Sequence, residues 1–140
     1  MNNDLTNKNN FVISLRDHLI NWFGTDRAYT YGEGNSEVRV TKGFYCLYRR
    51  EGSEPEDITG FCFRKDLCAK VLYEKKDILD HICDFAMNVP SLEEVSLSDN
   101  GLSFSLNDKN YLVSVGIGKG PYDVIDVSVM ESISVKNFFK

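Results

Sequence analysis

The stretch VSLSDNGLSFSL, residues Val95–Leu106, decides the fold. Apolar residues alternate with serines on both sides of an Asn-Gly pair. Period-two alternation is the mark of a half-buried strand, and Asn-Gly accepts the positive φ angles of a two-residue hairpin turn. With Asn100 and Gly101 as the central pair, Leu97 faces Phe104 and Val95 faces Leu106. Ser96, Ser98, Ser103 and Ser105 then share the opposite, wet face.

Downstream, the same parity continues. Asp108-Lys109 forms a second tight turn and places Tyr111, Val113 and Val115 opposite Leu106, Phe104 and Leu102 on one core face. Gly116 to Pro121 is a third turn, after which Ile125, Val127 and Val129 extend that face. Ile133 and Val135 keep the parity, but one strand from Asp123 to Lys136 is longer than sheets ordinarily use, so a bend is expected near Glu131. The result is a four-stranded antiparallel meander.

Upstream of Val95 the period changes. Phe11, Leu15, Leu19 and Trp22 recur at helical spacing, which predicts a helix over Asn10–Phe23, capped by Asn9 or Asn10 and closed by Gly24. A short strand is expected at Ala28–Tyr31 and another at Val38–Thr41. Gly43–Arg50 and Ile58–Lys65 read as an aromatic-rich hairpin. Symmetric pairing there sets Tyr45 and Leu47 against Phe63 and Phe61, and Cys46 against Cys62. Leu67, Val71, Ile78, Ile82 and Phe85 define a second helical region from Asp66 to about Met87, with a possible break at Glu74-Lys75-Lys76 and Asp77 capping the second piece. Asn88 and Pro90 end it. The fold class is α+β, an antiparallel sheet packed against an N-terminal and a central helix. Residues 1–9 read as a flexible tail and 10–140 as a single domain.

A chain of 140 residues buries about two-thirds of its unfolded surface, so its core needs neither metal nor disulfide. A hydrophobic content of 42% separates it from disordered sequences. The net charge of −5 disfavours contact with phosphate backbones and favours basic partners. The N-terminal segment lacks the apolar core of a signal peptide, and no apolar run reaches the ~20 residues of a membrane span. A cytoplasmic location is expected, with Cys46, Cys62, Cys68 and Cys83 as free thiols.

Chemistry-bearing motifs are sparse. Gly116-Ile-Gly-Lys-Gly120 has the glycines of a phosphate loop but is followed by Pro121 and lies between strands, so it reads as a hairpin loop. His81 is flanked at helical spacing by Asp77 and Asp84, the pattern of a solvated face, and no clustered metal ligands or Cys-x2-Cys pair occur. Adjacent acids at Glu93-Glu94 point to opposite faces of a strand and are poorly placed to share a substrate. No serine or cysteine sits in a catalytic signature, so no catalytic residue, cofactor or metal is expected. Three features suit contact with a protein. One is the acidic loop carrying Glu51, Glu54, Glu56 and Asp57. A second is the mixture of Tyr29 and Tyr31 with Glu33, and the third is the pair Phe138 and Phe139.

In size, acidity and α+β layout the chain resembles small bacterial proteins that bind and block another protein. Immunity proteins that neutralise a toxin and phage-encoded inhibitors are of this kind. It is similar in part to acidic secretion chaperones, although these usually end in a helix and this chain ends in strands. What the resemblance implies is a non-catalytic protein-binding protein that blocks a basic protein partner, with no direct role for nucleic acid or membrane. The alternatives are a secretion-type chaperone, a small enzyme using a Cys/His pair near His18 or His81, and a self-associating subunit.

Overall fold

A computed structural model of the chain describes residues 7–26, 28–32, 36–41, 44–49, 57–65, 68–69, 74–118 and 124–132. Helix α1 spans Lys8–Phe23. Strands β1 (Tyr29–Gly32), β2 (Ser36–Thr41), β3 (Phe44–Arg49) and β4 (Ile58–Arg64) follow, then helix α2 (Lys75–Met87). Strands β5 (Glu93–Ser98), β6 (Gly101–Leu106), β7 (Lys109–Ile117) and β8 (Val124–Glu131) complete the order. The class is the expected one: helices on an antiparallel sheet.

The main sheet has six strands in the order β1-β4-β8-β7-β6-β5. The meander therefore shares one sheet with β1 and β4, sealed where β4 pairs with β8. The expected hairpin between Gly43–Arg50 and Ile58–Lys65 does not form. Strand β3 pairs instead with β2 in a separate two-stranded ribbon that sets Cys46 opposite Arg39. Cys62 lies opposite Tyr29 on one side and Asp126 on the other. The physical reason is loop closure: β2 and β3 are two residues apart, whereas β3 and β4 are separated by eight. Strand β4 is buried along nearly its whole length, as an interior strand should be.

Both meander turns sit earlier than the sequence suggested. Leu97 faces Leu102, and Phe104 faces Tyr111, so each pairing is shifted by two residues. A shift of two preserves the faces, so the assignment of core and wet sides survives. The turn pairs are Asp99-Asn100 and Asn107-Asp108. The second takes positive φ at both residues (53° and 64°), the requirement of a type I′ turn. Gly101 belongs to strand β6. It carries φ 144°, and a Cβ there would lie 2.2 Å from the Val113 carbonyl oxygen.

Helix α1 begins two residues before the expected start, which corrects the assignment of residues 8 and 9 to a tail. The Asn7 side chain accepts the Asn10 N–H at 2.8 Å. Lys8 pairs with Asp57 and donates to the Ile58 carbonyl at 2.5 Å, while the Asn9 side chain accepts the Ile58 N–H at 3.1 Å. The first turn of α1 is thus fastened to the start of β4. Farther along, Arg16 donates to the buried Thr30 hydroxyl of β1 at 2.7 Å. In α2, the Glu74 N–H reaches the Asp77 carboxylate at 3.4 Å, so the helix starts at Lys75.

The core lies between the two helices and one sheet face. Phe11, Val12, Leu15, Leu19 and Phe23 of α1 and Ile78, Leu79 and Ile82 of α2 are buried on that face. Opposite them stand Phe61, Phe63, Phe104, Val113, Ile125 and Val127. Tilted and edge contacts lock the layer: Phe11 to Phe104 at 4.9 Å, Phe23 to Phe63 at 4.9 Å and Phe61 to Phe63 at 5.5 Å. Among the described residues, no helix is long and apolar enough to cross a membrane.

Candidate functional site

Alternation along β5 to β8 sends one set of side chains into the core and the other to the far face of the sheet. That far face carries Ser96 and Ser98 of β5, Ser103 and Ser105 of β6, Asn110, Leu112 and Ser114 of β7, and Ser128 and Met130 of β8. All are exposed or half-buried. Asp126 of β8 shares the face by the same alternation; it is half-buried, and the other residues named carry no charge. Met130 is 62% exposed, a large apolar side chain left in water.

Acidic groups stand at the β5 border of this face. A bulge between Glu93 and Ser96 breaks the alternation, and Glu94 takes a φ of 54°. Glu93 stays in register with Ser105, and the Ser105 hydroxyl lies 3.4 Å from the Glu94 carboxylate. The two acids therefore converge on one side of the strand instead of facing opposite ways, which corrects the expectation from simple alternation. The Ser105 hydroxyl also lies 2.7 Å from the Asn110 side-chain oxygen. Exposed Asp99 marks the tip of the β5–β6 hairpin.

At the other end of the sheet, Tyr31 of β1 lies across β4 and donates its hydroxyl to Asp126 of β8 at 2.7 Å. The crossing is possible because Gly60 stands between them. A Cβ at Gly60 would lie 2.4 Å from the Tyr31 oxygen and 2.4 Å from the Val127 carbonyl oxygen. Burial pushes the Asp126 carboxyl above its ordinary range, and the Tyr31 hydrogen bond partly offsets that.

The sequence-nominated residues divide as follows. Tyr29 and Tyr31 lie on β1, half-buried, and Tyr31 is engaged by Asp126. Asp57 is half exposed and paired with Lys8. Glu33, Glu51, Glu54, Glu56, Phe138 and Phe139 lie outside the described residues, as do the continuation through Ile133 and Val135 and most of the glycine-rich loop.

A second constellation joins the helices. His18 of α1 and His81 of α2 bring their Nε2 atoms to 2.9 Å. Trp22 stacks on His81 with ring centroids 4.0 Å apart and planes 9° from parallel, and Phe85 lies 4.8 Å from His18. A groove of about 630 Å³ opens beside the pair, with Ser14, Asp84, Phe85, Asn88 and Pro90 around it. Both histidines were visible as helical residues in the sequence, but their meeting depends on how α1 crosses α2. Among the described residues, the groove is lined by no cysteine. Burial and the carboxylates of Asp84 and Asp80 push the Cys83 thiol up, away from the reactive thiolate. The Cys68 thiol donates to the Arg64 carbonyl at 3.4 Å. No group of three or more metal-ligating side chains occurs among the described residues.

Comparison with protein-family models finds no match, and comparisons with curated proteins and with solved structures likewise return none.

Proposed function

We propose that this is a non-catalytic protein-binding protein that blocks a basic protein partner, acting in the cytoplasm in the manner of an immunity protein or a phage-encoded inhibitor. The observation that carries the reading is the far face of β5–β8, where uncharged polar side chains and the exposed Met130 surround one carboxylate, Asp126, that Tyr31 engages. The centres of protein interfaces are depleted of charge, and methionine is enriched in them. Here the one central charge, Asp126, is half-buried and engaged by Tyr31, and the β5 border is acidic, where Glu93, Glu94 and Asp99 stand. That arrangement suits a basic partner, and the net charge of −5 would speed its approach.

The acidic loop through Glu51, Glu54, Glu56 and Asp57 is the competing contact surface, and the two are separable. Affinity for the partner captured from the native host should fall at least tenfold in Ser114→Arg, which sets a cation in the middle of the face. Neutralising Glu51, Glu54, Glu56 and Asp57 together should cost less. Unchanged affinity in Ser114→Arg, with the fold intact by circular dichroism, would transfer the contact away from the sheet.

A further inference from the structure

We infer that His18 and His81 form a single proton-binding site that clasps α1 to α2 and opens when a second proton arrives. The Nε2 atoms are 2.9 Å apart while the ring centroids are 4.8 Å apart, and the planes differ by 14°. Each nitrogen therefore lies on the near edge of its ring and points at the other ring. This is an edge-to-edge N–H···N hydrogen bond, in which one imidazole donates and the other accepts. Three protonation states follow. With both rings neutral, one N–H fills the gap. With one proton added, the remaining neutral ring still accepts, and the bond becomes charge-assisted. With two added, both Nε2 atoms are donors, no acceptor remains, and two cations face each other across the same gap.

Groups that attract a cation surround the pair. The indole face of Trp22 lies over His81 and stabilises a cation there. On α2 the carboxylates flanking His81 are Asp77, Asp80 and Asp84, and Asp84 shares the groove; on α1, Asp17 flanks His18 and is bonded to Arg16 at 3.1 Å. The ring of Phe85 and the polar groups of Ser14 and Asn88 also border the pair and carry no charge. A divalent metal fits the gap poorly. Tetrahedral zinc, with bonds of about 2.0–2.1 Å, holds two nitrogens roughly 3.3 Å apart with both lone pairs converging on the metal, whereas these two nitrogens are closer and aim at each other.

Trp22 is the single tryptophan of the chain, so its emission reports on the site directly. In the wild-type protein, lowering the pH from 8 to 4 should change Trp22 fluorescence in two steps at least about one pH unit apart, the behaviour of coupled sites. His18→Gln, which leaves a single imidazole, should show one step. Imidazole 15N shifts of the wild-type protein read the same two steps without any substitution, and they decide the matter if His18→Gln does not fold. Two rings that titrate together in one step would overturn the proposal. So would a spectral change on adding zinc at neutral pH that His18→Gln abolishes, since the pair would then be a metal site.

Discussion

Gly60 shows how far one missing side chain reaches. Its absent Cβ lets the Tyr31 ring cross an interior strand and hold Asp126 on the far side. Gly60→Ala would press the new methyl against the Val127 carbonyl oxygen at 2.4 Å, and backbone cannot retreat as a side-chain tip can. We expect a loss of at least about 2 kcal/mol, measured by urea denaturation. Asp126 makes a second prediction, in pH. Its folded carboxyl titrates above the unfolded one because burial disfavours the charge. The unfolded chain therefore releases this proton first as pH rises, and the folded state loses the corresponding stability as pH climbs from below the ordinary carboxylate range through the folded value. Asp126→Asn lacks that loss. Its stability relative to wild type should rise between pH 4 and pH 7, and a difference independent of pH would contradict the assignment.

Among the described elements, β5 is the one under tension. Glu94 occupies a left-handed conformation that costs an L-residue roughly 1–2 kcal/mol, and glycine escapes that cost. Glu94→Gly should raise stability by about 1 kcal/mol in thermal unfolding, provided the bulge is retained. Elements were also where the sequence was most legible. The Val95–Leu106 alternation revealed two strands and their faces, and the faces survived a two-residue shift in both pairings because side-chain direction repeats every two residues. Pairing partners were less legible. Ile58–Lys65 reads as half of a hairpin with its neighbour, although the run of buried residues on both faces of β4 is the signature of an interior strand. The bulge that gathers Glu93 and Glu94 left no trace in the sequence, because nothing in two adjacent acids announces a positive φ. The open face was legible as alternating serines, whereas the His18–His81 contact, spanning sixty-three positions, was not.

At the scale of the molecule, both helices and strands β4 to β8 feed one apolar core, and β1 adds the buried Thr30 beside it. Such an arrangement has no separable half, and equilibrium unfolding should be a single cooperative transition. Far-ultraviolet circular dichroism follows the sheet and helices, and Trp22 emission follows the α1–α2 contact, so their denaturation curves should coincide. Curves with separate midpoints would mean that the helical layer detaches first. Amide exchange should be slowest in β8, which has partners on both sides and whose Ile125, Val127 and Val129 point into the core.

The strand order β1-β4-β8-β7-β6-β5 has one consequence for biosynthesis. The strand that joins the two halves of the sheet is the last of them to be translated. Until residues 124–131 emerge from the ribosome, β4 and β7 each present an unpaired edge, and the apolar face between them is unsealed. Such edges invite pairing with other nascent chains. A stalled or truncated product that stops before Val124 is thus an aggregation-prone species, and delayed completion of the sheet makes β8 the segment on which newly made protein depends.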